Sequence, residues 1–341
     1  MAAPEPRANP LLVGHEAAEA ALVDALGSGR MHHAWLLTGP PGIGKATLAF
    51  RFARRLLAGG TAHASLSVDP ADPVFRRVAA ASHADLVTLE RGVNPRTGKL
   101  RGEISVDDVR GAQDFMRFTP AEGGWRVMVV DKADDLNRSA ANALLKTLEE
   151  PPPRAVLLLV CDAPGRLLPT IRSRCRRLKL AALDSAAMER VLANSLPDLP
   201  APDRARLAAL AEGSPGRALV LAAEEGLKLA GLVEKVLADA PALDPGRGFA
   251  ISDALGRSET AFATFMDLLR ASLAAAVRDV VRGRGDAAQA RLVAARPLDA
   301  WSTVWQELTR LQDETERFNL DKRQAILTSM ALLRGEAASL Q

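Results

Sequence analysis

The chain has 341 residues, which is enough for roughly two or three domains. Apolar residues make up 48% and charged residues 25%, a balance that is typical of folded globular proteins and excludes wholesale disorder. The formal net charge of +3 permits contact with nucleic acid but does not require it. With 4% aromatic residues and no tyrosine, the chain is a poor stacking platform for single-stranded nucleic acid.

The sequence carries no sign of membrane insertion or secretion. No run approaches the ~18 consecutive apolar residues of a membrane-spanning helix. The N-terminal segment MAAPEPRANP has an acid and prolines where a secretion signal has a basic region and then an apolar one. The two cysteines, Cys161 and Cys175, are too few for a disulfide framework or a four-cysteine zinc site. We therefore expect a cytoplasmic protein without membrane contact.

Short apolar runs alternate with helical patterns between residues 14 and 180. Each run is nearly continuous, as expected for strands that helices cover on both faces. This alternation predicts an α/β domain with a parallel sheet. The predicted strands are Ala34–Thr38, Leu86–Leu89, Val127–Val130 and Val156–Val160, and the predicted helices include Ala46–Leu57, Val106–Met116 and Ser139–Glu149.

A phosphate-binding loop lies between the first predicted strand and the helix that follows it. In such loops, glycines let backbone N–H groups converge on phosphate oxygens, and a lysine supplies a full positive charge. The next position usually holds a Ser or Thr whose hydroxyl ligates Mg²⁺. Here that position is Ala46, and Thr47 lies about 100° further round the helix. The loop residues are Gly39, Pro40, Pro41, Gly42, Ile43, Gly44, Lys45, Ala46 and Thr47.

A second departure from an ATPase pattern follows the strand Val127–Val130. Asp131 stands where an acid faces the metal in P-loop ATPases, but Lys132 occupies the position of the water-activating carboxylate. Asp134 lies three residues after Asp131, and the sequence alone does not assign it a catalytic role. The loss of one positioning group costs orders of magnitude in phosphoryl transfer. The loop is therefore expected either to be vestigial or to hold ATP or ADP with little hydrolysis.

After residue 180 every pattern is helical. Three amphipathic stretches, which begin at Phe262, Trp301 and Leu320, repeat apolar residues at three- and four-residue spacing. They predict the core of a small helical bundle, one face of which could form an oligomer interface. The end of the strand patterns places one domain boundary near residue 180, and a break rich in glycine and proline at Pro241–Gly248 places a softer one near residue 240. The expected domains are an α/β domain at 1–180 and all-helical domains at 181–240 and 241–341.

Two further motifs flank the strand Val156–Val160. Asn142-Ala-Leu-Leu-Lys-Thr-Leu-Glu-Glu-Pro-Pro-Pro153 precedes it, and Leu168-Pro-Thr-Ile-Arg-Ser-Arg-Cys175 follows it. Together with the phosphate loop, this pairing of an LLK-LEEPP helix with an SRC motif resembles the delta-prime family of bacterial DNA polymerase III clamp-loader subunits, which are AAA+ proteins. The resemblance extends over nearly the whole chain.

This resemblance implies an architecture and two functional arginines. The AAA+ core would be followed by a helical lid at 181–240 and by a collar at 241–341 that joins five subunits in a ring. Arg174 of the SRC motif would act in trans on ATP bound by a neighbouring motor subunit, where a guanidinium neutralises charge as the γ-phosphate leaves. Arg217, in Gly213-Ser-Pro-Gly-Arg217, would be a sensor-2 arginine directed at nucleotide phosphate.

The resemblance also implies partners. These are the gamma or tau motor subunits, the delta subunit, the sliding clamp, and primed DNA that is contacted through its phosphate backbone. Many relatives carry a four-cysteine zinc insertion, but residues 57–85 contain no cysteine, so we expect no zinc and no other metal. The polar sensor position after Val156–Val160 falls on Cys161 or Asp162, which is a poor match to the family pattern.

These features favour a non-motor, stator-like subunit that loads the sliding clamp together with its partners and hydrolyses little ATP itself. Two alternatives remain open at the level of sequence. One is an active motor subunit in which Thr47 and Asp134 restore the nucleotide site. The other is a nucleotide-gated scaffold outside replication.

Overall fold

The computed structural model describes residues 5–29, 31–60, 65–94, 96, 98–122, 124–240, 244–255 and 258–336. The chain divides into two units, Met1–Leu219 and Val220–Gln341. The first unit contains the sheet, and the second is helical wherever it has regular structure in the described residues.

A five-stranded sheet organises the first unit, in the spatial order β2-β3-β4-β1-β5 with every neighbouring pair parallel. All residues of β1, β3 and β4 are buried, because helices cover the central strands on both faces. The predicted parallel α/β domain is therefore confirmed. The strands are β1 Ala34–Thr38, β2 Leu86–Leu89, β3 Arg126–Val130, β4 Ala155–Cys161 and β5 Arg176–Lys179.

The first helices of this unit flank the sheet. Three more helices follow the last strand, with no further strand among the described residues. Two short 3₁₀ turns, Pro6–Ala8 and Ala133–Asp135, accompany them. The last of these helices, α9, crosses the boundary between the units. The helices are α1 Glu16–Gly27, α2 Lys45–Leu57, α3 Pro73–Ala79, α4 Val106–Arg117, α5 Arg138–Glu149, α6 Pro169–Arg174, α7 Ser185–Ser195, α8 Ala201–Leu210 and α9 Pro215–Ala223.

The second unit packs around its longest helix, α12, which contacts α10, α13 and α14. Helix α15 packs on α11 and α14. The first predicted amphipathic stretch lies on α12, and its apolar side chains, from Phe262 to Leu273, are buried as expected. The helices are α10 Gly226–Asp239, α11 Pro245–Leu255, α12 Glu259–Val281, α13 Ala287–Ala294, α14 Leu298–Phe318 and α15 Lys322–Arg334.

Two details of the second unit differ from the sequence expectation. Trp305 belongs to the predicted apolar stripe of α14 but is 39% exposed, and Leu320 is exposed and precedes α15. In the described residues, one segment, Thr260–Val281, is long and apolar enough to cross a membrane by length and composition alone. Its buried side chains Phe262, Phe265 and Met266 are those of a core helix in this unit.

Candidate functional site

The phosphate loop lies at the carboxyl edge of the sheet. Strands β1, β3 and β4 are neighbours and run parallel, so the residues that follow them meet at one edge. These residues are the loop Gly39–Gly44 after β1, Asp131 after β3 and Asp162 after β4. Helix α2 begins directly at Lys45, so its positive end faces the loop. The predicted strand–loop–helix arrangement is present.

The chain's own donors hold the carbonyl groups of the loop. Lys45 Nζ donates to the Gly39 carbonyl at 2.8 Å and also to that of Pro40. The next three carbonyls, of Pro41, Gly42 and Ile43, accept from Ser214 Oγ at 2.9 Å, from Gly216 N–H at 2.9 Å and from His15 Nε2 at 2.6 Å. Every carbonyl from residue 39 to 43 therefore has a partner, and the loop is held firmly.

The backbone amides of the loop are arranged differently. Among the described residues, the N–H groups of Gly42, Ile43 and Gly44 donate to no group of the chain. Free amides next to a helix N-terminus form an anion-binding concavity. The loop therefore retains the part of a phosphate site that its backbone supplies.

The lysine of the loop has no free donor. Lys45 is 3% exposed, and its ammonium lies 2.6 Å from Asp162 Oδ1 in addition to the two loop carbonyls. A lysine ammonium carries three N–H donors, so these three acceptors satisfy it completely. The sequence placed Asp162 near the sensor position but gave no sign that it pairs with Lys45. The adjacency of β4 and β1 brings the two side chains together.

Asp131 and Lys132 follow β3 at the same edge. Burial, and then the neighbouring carboxylate of Glu90, raise the pKa of Asp131 above its ordinary value, and Asp162 adds to that rise. Lys132 adopts a left-handed backbone with φ 58°. The position expected to hold a water-activating carboxylate thus holds a cation.

Asp134 does not restore the site. It lies in the 3₁₀ turn after β3, and its carboxylate accepts the backbone N–H groups of Asp162 and Ala163 at 3.1 and 3.2 Å. It therefore ties the end of β4 to the turn. Thr47 is 8% exposed in the first turn of α2, and Ala46 before it has no hydroxyl. These contacts give the motor alternative no support.

A cavity of about 730 Å³ opens beside the loop. One wall comes from the N-terminal segment around Leu11–Val13, and another from Leu183, Val191 and Leu219 of the following helical region. Arg54 on α2 fixes the N-terminal segment, because its guanidinium donates to the carbonyls of Arg7 and Asn9 at 2.7 and 2.8 Å. No sequence pattern predicted that the N-terminal segment lines this cavity.

A nucleotide fits this site only in part. The apolar walls can hold a base, and the free amides can hold a phosphate group. The side chains at the phosphate end do not fit a metal-bound triphosphate, because Lys45 is already paired and Ala46 offers no metal ligand. Within the described residues, no cluster of three or more His, Cys, Asp or Glu side chains could hold a metal ion.

Arg174, the predicted trans-acting arginine, is the last residue of α6. Its guanidinium lies 2.8 Å from Glu149 Oε1, at the end of α5, and donates to the Thr170 carbonyl at 3.1 Å. The side chain is 36% exposed, and Glu149 is 50% exposed. The SRC motif and the LEEPP motif therefore meet at this ion pair, which solvent can reach.

Arg217, the predicted sensor-2 arginine, lies in α9 near the loop. Its backbone N–H donates to Ser214 Oγ at 3.2 Å, while its guanidinium lies 3.8 Å from Glu212. The residues that touch the loop directly are Ser214 and Gly216. The contacts of this segment to the loop come from its small residues and not from the arginine side chain.

The two cysteines are poor nucleophiles. Burial raises the pKa of both Cys161 and Cys175 to about 12, and Asp134 contributes at Cys161. Both thiols are free and buried. They pack as small apolar side chains in the core beneath the sheet edge.

Comparison with known proteins assigns the chain to a family. A model of the family described as DNA polymerase III, delta subunit, matches residues 14–184. The chain belongs to this family. The delta-prime resemblance is confirmed by 41% identity to DNA polymerase III subunit delta' of Pseudomonas aeruginosa over 196 residues, which are 57% of each chain. Subunit tau of Escherichia coli is 35% identical over 176 residues, or 51% of this chain and 25% of tau.

The family match is partial in length. The chain spans little more than half of the delta' relative and a quarter of the tau relative. Among solved structures, a DNA polymerase III gamma subunit-related protein from Thermotoga maritima aligns with 95% of this chain and 99% of its own, at a TM-score of 0.50 and 17% identity. This likeness concerns the fold alone.

Proposed function

We propose that the chain is a stator-like clamp-loader subunit, which holds Arg174 in trans at the ATP of a neighbouring motor subunit. The observation that carries this proposal is the contrast between the two cations. Lys45 is buried and fully paired inside the chain, whereas Arg174 is partly exposed with a solvent-accessible partner. The first arrangement opposes ATP hydrolysis in cis, and the second leaves a guanidinium that can exchange Glu149 for phosphate oxygens.

The proposed partners follow from the family. They are the gamma or tau motor subunits, the delta subunit, the sliding clamp and primed DNA, with the complex working in the cytoplasm. Contact with DNA would be directed at phosphates and would weaken as salt rises. The helical collar at 241–341 would join the ring, and Leu298 and Trp305, seven residues apart on one face of α14, are exposed apolar side chains that a partner subunit could cover.

The test of Arg174 is the DNA-stimulated ATPase of a loader reconstituted with motor and delta subunits. We expect Arg174→Ala to leave this chain folded and to lower the loader's kcat by about 10³-fold at the affected motor site. Arg174→Lys should restore little of this rate, because a lysine lacks the bidentate fork. Arg177→Ala, which removes an exposed arginine of β5, is the matched control and should retain the rate.

An unchanged rate for Arg174→Ala in a fully assembled loader would contradict the proposed role. The scaffold alternative is tested by the same reconstitution, because a scaffold outside replication would not join motor and delta subunits in one complex. The motor alternative predicts ATP turnover by the isolated chain that is lost in Lys45→Ala.

A further inference from the structure

The backbone of the phosphate loop can bind an anion, whereas the lysine of the loop is already paired with a carboxylate. The amides of Gly42, Ile43 and Gly44 are free among the described residues, while Lys45 holds the carboxylate of Asp162 at 2.6 Å. In working phosphate loops the lysine meets the β- and γ-phosphates, and the amides cradle the inner phosphates. The carboxylate therefore stands in the place of the outermost phosphate as the lysine's anionic partner.

The charge around the loop points the same way. Asp131 and Asp162 both line the cavity at its phosphate end, where Lys45 and Lys132 are the cations. Two carboxylates balance two ammonium groups, so the site has no excess positive charge for a triphosphate. The carboxyl groups are near enough for Asp162 to disfavour the charged form of Asp131. A further anion would meet the same repulsion.

The pairing is also held in place from both sides. The backbone of Asp162 is fixed because its N–H donates to Asp134 at 3.1 Å. On the other side, two loop carbonyls bind the Lys45 ammonium. An incoming phosphate would have to displace a charged partner of a lysine that is 3% exposed.

We infer that Asp162 is a specificity-determining residue, a built-in anion that excludes the terminal phosphate of nucleoside triphosphates from this chain's loop. The amides can still donate to the phosphate oxygens of a nucleoside diphosphate. This inference concerns the isolated chain and does not depend on Arg174, so either proposal can fail while the other stands.

The test compares nucleotide affinities of the isolated full chain by calorimetry. The wild type should bind ADP more tightly than ATP by about tenfold or more, the scale of one like-charge contact in a partly buried site. Asp162→Asn and Asp162→Ala should raise the affinity for ATP by about tenfold or more, and that for ADP much less. Asp162→Ala excludes the explanation that a new amide donor, and not the lost charge, holds the phosphate.

Two control variants test whether a change in ATP affinity comes from the Lys45–Asp162 pair. Asp135→Asn removes a nearby acid whose partner is Arg91 at 3.2 Å, and it should leave both affinities unchanged. The double variant Lys45→Ala with Asp162→Ala lacks both charges, and it should show none of the gain in ATP affinity. Equal gains in the double and single variants would overturn the inference.

Thermal melting with inorganic tripolyphosphate covers the case in which Asp162 variants fold poorly. Loss of the carboxylate leaves a buried lysine without a counterion, so Asp162→Asn should melt below the wild type, and tripolyphosphate should restore it. The same anion should raise the wild-type melting temperature much less. Tighter binding of ATP than of ADP by the wild type, or Asp162 variants that gain neither ATP affinity nor stabilisation by tripolyphosphate, would overturn the inference.

Discussion

Lys45 and Arg174 show how environment separates two cations of one chain. The lysine is 3% exposed and has three acceptors for its three donors, so releasing it costs a buried ion pair. The arginine pairs with a half-exposed glutamate, and ion pairs in such positions contribute only about 0–1 kcal/mol. Exchange of partners is therefore easy at Arg174 and costly at Lys45.

Asp131 lowers the free energy of unfolding when its carboxylate is ionised, because burial raises the pKa of this group in the folded protein. The protonated form imposes no such penalty, so the penalty is absent below the ordinary pKa of aspartate. It grows as pH rises and is complete above the raised pKa of the folded state. A half-buried acid with a raised pKa at the edge of the sheet is expected of a functional position.

We therefore expect Asp131→Asn to increase the free energy of unfolding at pH 8 by roughly 1 kcal/mol. The gain should shrink as pH falls and vanish below about pH 3, where aspartate is protonated in both states. Urea denaturation across this pH range measures it. Asp114→Asn, at a position exposed on α4, should change stability by less than about 0.5 kcal/mol throughout. A gain that does not depend on pH would contradict this explanation.

At the scale of elements, the phosphate loop and the start of α9 support each other. The Ser214 hydroxyl and the Gly216 N–H bind carbonyls of the loop. This approach needs a glycine at position 42, where φ is +72° and an added Cβ would lie 2.4 Å from Ser214 Oγ. Ser214 cannot retreat without losing its 2.9 Å bond to the Pro41 carbonyl.

Gly42→Ala should therefore cost more stability than an alanine at a glycine with a similar backbone and open space. Gly29 provides that control, because its φ is +65° and no atom lies within 4 Å of an added Cβ. We expect Gly29→Ala to cost about 1–2 kcal/mol from backbone strain, and Gly42→Ala about 1 kcal/mol more. Urea denaturation compares the two, and equal losses would show that the contact with Ser214 does not require glycine.

The strands show which elements a sequence can reveal. β1 and β2 have their predicted bounds, and β3 and β4 extend the predicted runs by one or two residues, because buried parallel strands read as apolar runs. β5 was missed. Its residues, Arg-Arg-Leu-Lys, are mostly exposed at the sheet edge, and they pair with β1 through the backbone without an apolar signature.

The site was predictable where it depends on a local motif. The loop and Asp131 follow from spacing and from the strand that precedes each of them, whereas the role predicted for Arg174 follows from the resemblance that the SRC motif carries. The pairing of Lys45 with Asp162 joins positions more than a hundred residues apart and depends on the order of strands in the sheet. The Ser214 contact to the loop joins positions 173 residues apart, and the His15 contact joins positions 28 residues apart. No periodicity or motif carries such information.

At the scale of the whole molecule, the chain keeps the architecture of an ATP-binding machine while its own phosphate loop is satisfied internally. The first unit carries the loop and Arg174 at different positions, so one chain can be inactive in cis and act in trans. The second unit leaves Leu298 and Trp305 exposed on one face of α14, where a partner subunit would cover them. Assembly would then decide where Arg174 acts.

A structure of the assembled loader with a non-hydrolysable ATP analogue in the motor subunits tests the central claim most directly. We predict that the Arg174 guanidinium leaves Glu149 and lies within hydrogen-bond distance, about 3 Å, of the neighbouring γ-phosphate. An Arg174 side chain that still pairs with Glu149 in the assembled ring, away from any γ-phosphate, would contradict it.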